Sequence, residues 1–141
     1  MTALDDGIRQ NVPDLLIELG AQQILLECKT CTKSPALIKK EEAWAVIQKA
    51  ADFDTAMRRV TIGKPAFDET SKKKAAASQD ITLVEHNVFM EGLLRVHGGT
   101  LAPGDFLTWL GSPGVAEIDR LGGTPTYIGR QRPPAIRAVR V

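Results

Sequence analysis

The chain has 141 residues, 43% hydrophobic and 25% charged, long enough to bury a core without metal or disulfide staples and ordinary for a soluble globular domain. Its 18 Lys and Arg nearly cancel 17 Asp and Glu, so no overall field marks a polyanionic partner, and any nucleic-acid binding must come from local patches. No apolar run approaches the ~20 residues of a membrane span, and the opening MTALDDGIRQN lacks the apolar stretch of a secretory signal. The expected compartment is the cytoplasm.

Residues 1–11 are polar and expected to form a loop or frayed lead-in. The stretch 12–32, VPDLLIELGAQQILLECKTCT, reads as two apolar strands folded back about Gly20-Ala21. A two-residue turn makes partner numbers sum to 41 and sets Asp14 opposite Glu27. Direct partners share a face, as do residues two apart, so Asp14, Glu27 and Lys29 converge on one patch. The other face, with Pro13, Leu15, Ile17, Leu19, Ile24, Leu26 and Cys28, is the expected core face.

Two carboxylates and an ammonium on a rigid hairpin suit divalent-metal hydrolysis. Mg²⁺ prefers hard oxygen ligands and usually takes one or two carboxylates, completing its sphere with waters and phosphate oxygens. Asp14 and Glu27 supply the carboxylates, and the Cys28 backbone carbonyl is a plausible third protein oxygen. Lys29 contributes fixed positive charge of the kind phosphoryl chemistry needs. The competing reading makes Glu27 and Lys29 edge charges beside a core strand, with Pro13-Asp14 a turn.

Cys28 and Cys31 form an isolated C-x-x-C, with neither a second such pair nor a His pair to complete a structural zinc site. A redox C-x-x-C usually opens a helix, whereas Cys28 falls inside the proposed strand. A structural Cys28 is therefore expected, with a redox or zinc protein as a competing class.

A helix is expected over 39–53, where Ala43, Val46, Ile47, Ala50 and Ala51 follow helical spacing and Trp44 and Phe53 widen the stripe. Glu41 and Gln48 on it are secondary site candidates, since the helix can face the same cleft. A strand over 57–63 ends at Gly63-Lys64-Pro65. Asp68 or Thr70 then caps a second helix to about Ser78 that shows Lys72, Lys73 and Lys74 to solvent. Residues 81–84 read as a buried strand, His86 as a helix-start residue, and 87–96 as a third helix.

From His97 the chain turns rich in Gly and Pro, with room for short helices over 103–110 and 115–121. Phe106, Leu107, Trp109 and Leu110 give the first an apolar surface to dock. The tail carries Arg130, Arg132, Arg137 and Arg140 with no acid after Asp119. It reads as an extension, as an arm along phosphates, or as a partner-chain contact.

Short strands alternating with helices after a hairpin imply an α/β fold with parallel crossovers, in the order ββαβαβα. Pro13-Asp14 followed by Glu27-x-Lys29 on adjacent strands resembles the PD-(D/E)xK nuclease superfamily, which includes restriction endonucleases, Holliday junction resolvases and Mrr-type nucleases. VTIGKPAFDETSKKKAAASQDITLVEHNVFMEGLL (60–94) is similar to the second half of Mrr-type domains, and KKEEAWAVIQKAADFD to the helix after the E-x-K strand of archaeal resolvases. The resemblance covers about 11–96 and leaves 97–141 as a Gly/Pro-rich extension without a counterpart.

The resemblance implies a restriction-endonuclease-like mixed sheet flanked by helices and a metal-dependent DNA endonuclease. Its catalytic residues would be Asp14, Glu27 and Lys29. Mg²⁺ or Mn²⁺ would be held by Asp14, Glu27 and the Cys28 carbonyl, and DNA contacts would come from Lys33, Lys39, Lys40, Lys72, Lys73, Arg130 and Arg132. Family members usually place a helix before the hairpin, often with a further acid, and little sequence precedes Asp14. Asp5 or Asp6, a homodimer or a partner chain is expected to stand in, or the chain is a domain of something larger, or the fold is a catalytically degenerate DNA-binding or assembly module.

Overall fold

The structure, a computed structural model, describes residues 2–3, 14–31, 37–49 and 58–126. Strands β1 (Thr2–Ala3), β2 (Leu15–Leu19), β3 (Gln22–Thr30), β4 (Arg58–Lys64), β5 (Thr82–Glu85) and β6 (Gly114–Val115) form one six-stranded sheet in that order. β1, β2 and β3 pair antiparallel, and β3 to β6 pair parallel. Helices α1 (Lys40–Ala43), α2 (Ala45–Lys49), α3 (Glu69–Ala77), α4 (His86–His97) and α5 (Pro103–Leu110) flank it, and a 3₁₀ turn follows at Ile118–Arg120. The expected mixed α/β class is therefore correct. No helix among the described residues is long and apolar enough to cross a membrane.

The hairpin has the register its sequence implies, with Leu15 opposite Leu26 and Leu19 opposite Gln22, so that partners sum to 41. Gly20 has φ of +60° while Ala21 does not take a positive φ, the pattern of a II′ turn with Gly at its first central position. The register divides the sheet between two cores. Ile17, Ile24, Leu26, Val60, Ile62 and Val84 meet Phe106, Leu107, Trp109 and Leu110 of α5, with Phe89, Leu93 and Val96 of α4 against them. On the opposite face Leu83 joins Ala43, Val46, Phe67 and Ala75 under α1, α2 and α3.

Several expectations need correction. Thr2–Ala3 pairs with β2 as an edge strand rather than forming loop. The expected helix over 39–53 is broken at Trp44, and residues 50–53 lie outside the described residues. The cause is local. Thr61 Oγ1 donates to the Ala43 carbonyl at 2.7 Å, an acceptor a continuous helix gives to residue 47. Ile47 N donates instead to the Trp44 carbonyl at 3.0 Å, and α2 starts afresh.

The expected helix over 115–121 is a strand followed by a 3₁₀ turn. β5 would otherwise be left with an open edge, and an unpaired backbone edge seeks partners. Gly114 N and Ala116 N donate to the carbonyls of Ile81 and Leu83 at 2.9 and 2.8 Å. Gly114 reaches that position with φ of +109°. Leu101, the α5 residues and Leu121 all lie in the first core, so the segment after residue 96 shares the sheet and its packing as far as it is described. Asp68 caps α3 as expected, accepting from Ser71 N at 2.8 Å.

A buried ion pair fastens the end of this segment. Glu91 and Arg95 are 0% and 4% exposed, and Arg95 Nε donates to Glu91 Oε2 at 2.5 Å. Arg95 Nη1 donates to the Leu121 and Gly122 carbonyls, each at 3.0 Å. Thr126 donates its backbone N–H to Glu91 Oε2 and its hydroxyl to Oε1. Burial pushes the Glu91 carboxyl up, but the bonds from Thr126 and Arg95 and the guanidinium charge outweigh it and hold it below its ordinary value. A depressed folded pKa stabilises the fold above the unfolded value, and this is lost as pH falls through the folded value. Glu91→Gln should cost about 3 kcal/mol at pH 7. It should also flatten the loss of stability on acidification below about pH 4.5, as read from urea midpoints against pH.

Candidate active site

β3 carries the site. Alternation places Leu25, Glu27 and Lys29 toward α1 and α2, and Ile24, Leu26 and Cys28 toward the other face. Glu27 is 1% exposed, because α2 lies over it. Lys29 Nζ is 3.2 Å from Glu27 Oε2, and Lys49 Nζ, from the last residue of α2, makes a hydrogen-bonded ion pair with the same oxygen. Glu27 Oε1 is buried without a hydrogen-bond partner.

Asp14 sits just ahead of β2, where its Oδ2 accepts the Cys28 backbone N–H at 2.8 Å. A strand residue's N–H and C=O point to the same side, so the Cys28 carbonyl faces the edge that Asp14 occupies. The hairpin therefore brings Asp14, Glu27, the Cys28 carbonyl and Lys29 to the end of β3. Pro13 lies outside the described residues. The Cys28 side chain departs from expectation: it is exposed rather than in the core. The alternation holds, but among the described residues β2 pairs no further than Leu15 opposite Leu26. Partial burial raises the Cys28 thiol pKa, and the charges of Asp14 and Glu27 raise it further. An upward shift disfavours the thiolate that redox and zinc chemistry use.

The row extends across the parallel strands. Lys29 is level with Gly63, and Gly63 with Glu85, so all three share the face of Glu27. A side chain at Gly63 would collide with the Phe67 ring, whose Cζ is 2.5 Å from where a Cβ would lie. Lys72 of α3 approaches Glu85 Oε2 at 3.1 Å, at angles short of a hydrogen bond. This is the C-terminal end of the parallel strands, where open α/β sheets bind ligands.

Of the other expected contacts, Lys39 and Lys40 begin α1, on the side of the sheet that covers Glu27, and Lys73 is exposed on α3. Lys33, Arg130 and Arg132, with Asp5 and Asp6, lie outside the described residues. Glu41 and Gln48 are exposed, and the position next to Gln48 is the one that reaches Glu27. Lys49 was not among the residues expected at the site. The apolar spacing placed this helix over the sheet, but only the break at Trp44 decides which α2 side chain meets β3. His86 begins α4, as expected.

Carboxylate and carbonyl oxygens are the donors a hard divalent cation takes, and Glu27 Oε1 is buried without a hydrogen-bond partner. Against this, among the described residues no group of three or more His, Cys, Asp and Glu side chains is placed to hold a metal ion. Comparisons with family models, curated proteins and solved structures found no match for the chain.

A buried carboxylate with one unsatisfied oxygen is a poor stabiliser, since its desolvation is only partly offset. Glu27→Met, close in volume, should leave the urea unfolding free energy unchanged or raise it by about 1 kcal/mol. Glu27→Ala leaves a void and should lower it by about 2 kcal/mol. A loss beyond about 2 kcal/mol in the Met variant would mean that the carboxylate serves stability.

Proposed function

We propose that the chain is a metal-dependent DNA endonuclease of the PD-(D/E)xK type that hydrolyses phosphodiester bonds. In this reading Asp14, Glu27 and the Cys28 carbonyl hold Mg²⁺ or Mn²⁺, and Lys29 lies beside the scissile phosphate. The observation that carries it is Glu27: a carboxylate 1% exposed, with one oxygen unpartnered, next to Lys29 and one residue from the backbone group that Asp14 holds. The finer fold reading, a restriction-endonuclease-like sheet with the order ββαβαβα, belongs to the same proposal. It is supported by the succession of hairpin, helices, β4, α3, β5 and α4.

A bound Mg²⁺ or Mn²⁺ supplies a water of lowered pKa and compensates charge on the phosphate. The chain's own groups do the rest. Lys29, on a strand locked into the sheet, orients the attacking water or stabilises the transition-state charge without reorganising. Lys39, Lys40, Lys72 and Lys73 are on elements near the same end and suit sequence-independent phosphate contacts. A second copy, or a partner chain lending a helix, fits the short acid set.

A second reading has its own observation. Two ammonium groups already hold Glu27 Oε2, as suits a catalytically degenerate nuclease fold that binds DNA or serves assembly. A plasmid-nicking assay separates the two. The wild type should nick in Mg²⁺ or Mn²⁺, and Asp14→Ala and Lys29→Ala should each lose about 10²-fold or more. DNA binding without nicking in either metal would leave only the second reading.

A further inference from the structure

The site has a component that the nuclease pattern does not contain. Lys49 comes from a different element than Asp14, Glu27 and Lys29, yet its ammonium meets the most buried carboxylate of the cluster. The arrangement is lopsided. Oε2 accepts two cations while Oε1, equally buried, accepts nothing. A carboxylate bound for stability would spread its partners over both oxygens, as Glu91 does.

The charges sharpen the point. Glu27 with Lys29 and Lys49 carries a net positive charge; among the described residues Asp14 lies beside it, and Glu85 on the same row is engaged by Lys72. A divalent cation approaching Glu27 therefore meets an ammonium in contact with one of its ligand oxygens. The Lys49 side chain is 22% exposed, so a rotamer change on its flexible stem can carry the ammonium toward solvent. Lys29 is exposed to a similar degree, 26%, so what sets Lys49 apart is its origin on an element outside the hairpin. The Thr61–Ala43 hydrogen bond breaks the helix at Trp44 and sets the position of Lys49, since Thr61 is the β4 partner of Glu27.

From this geometry we infer that Lys49 is a built-in counter-ion, a monovalent stand-in that keeps Glu27 neutralised and ordered until a divalent cation displaces it. This rests on the hairpin being a metal site. Displacement returns Oε2 to the metal and frees an ammonium beside the place where a phosphate would lie. The device makes metal affinity lower than the oxygen donors alone would give.

Mn²⁺ titration of the full chain without DNA, followed by electron paramagnetic resonance, tests it. Lys49→Gln and Lys49→Met should bind Mn²⁺ roughly tenfold more tightly than wild type, because the ion no longer has to displace an ammonium from a ligand oxygen; tenfold corresponds to about 1.4 kcal/mol. Lys49→Arg should stay near wild type, and Glu27→Gln should abolish binding. A helper that shapes the site would show the reverse, with weaker binding in the neutral variants. Labelling with an amine-reactive reagent needs no variant: wild-type Lys49 should label faster in saturating Mn²⁺ than in its absence. Equal or weaker Mn²⁺ binding by folded Lys49→Gln, or unchanged labelling, overturns the counter-ion and leaves the nuclease reading standing. Absence of Mn²⁺ binding in wild type and both neutral variants overturns the metal site and the inference together.

Discussion

The register of the β2–β3 hairpin is the constraint on which the site depends. A strand repeats every two residues, so a slip of one would turn each side chain to the opposite face. With Leu15 opposite Leu26 and Ile17 opposite Ile24, the apolar residues face α4 and α5, while Glu27 and Lys29 face α1 and α2. Gly20 fixes that register through its positive φ. The parallel pairing of β3 with β4 and of β4 with β5 carries it across the sheet. Lys29, Gly63 and Glu85 thus fall on one line, with Phe67 occupying the space that Gly63 leaves open.

Helix placement completes what the register starts. Thr61, level with Glu27, captures the Ala43 carbonyl, and the interruption at Trp44 lets α2 bring Lys49 onto Glu27. Ala43 and Val46 remain fully buried on either side of the break, so packing is kept while helical phase is reset. Lys74, over the Trp44 ring at 4.8 Å, ties α3 to the same corner. One side-chain hydrogen bond thereby links the core of the second face to the electrostatics of the site.

Much of this was legible in the sequence because it is local. Gly20-Ala21 between apolar runs specifies the turn, the alternation through Glu27 and Lys29 specifies their face, and Asp68 specifies the start of α3. What was not legible depends on tertiary partners. The exposure of Cys28 does not follow from its own alternation, which puts it on the core face. β6 is two residues long and exists because β5 presents an open edge; its sequence, Gly-Val after a Pro, carries no strand signal. Lys49 reaches Glu27 only through a helix break caused by a threonine on the next strand.

The molecule contains its own control for interpreting Glu27. Glu91 is a carboxylate buried as deeply, and both of its oxygens are bonded, by a guanidinium and by the backbone and hydroxyl of Thr126. There the ionic groups hold residues 121–126 against α4, a structural task with every acceptor used. Glu27 lies at the end of parallel strands rather than between a helix and a strap, with crowding at one oxygen and nothing at the other. The two carboxylates are thus partnered differently, Glu91 on both oxygens and Glu27 on one. That contrast is what the proposed role of Lys49 rests on.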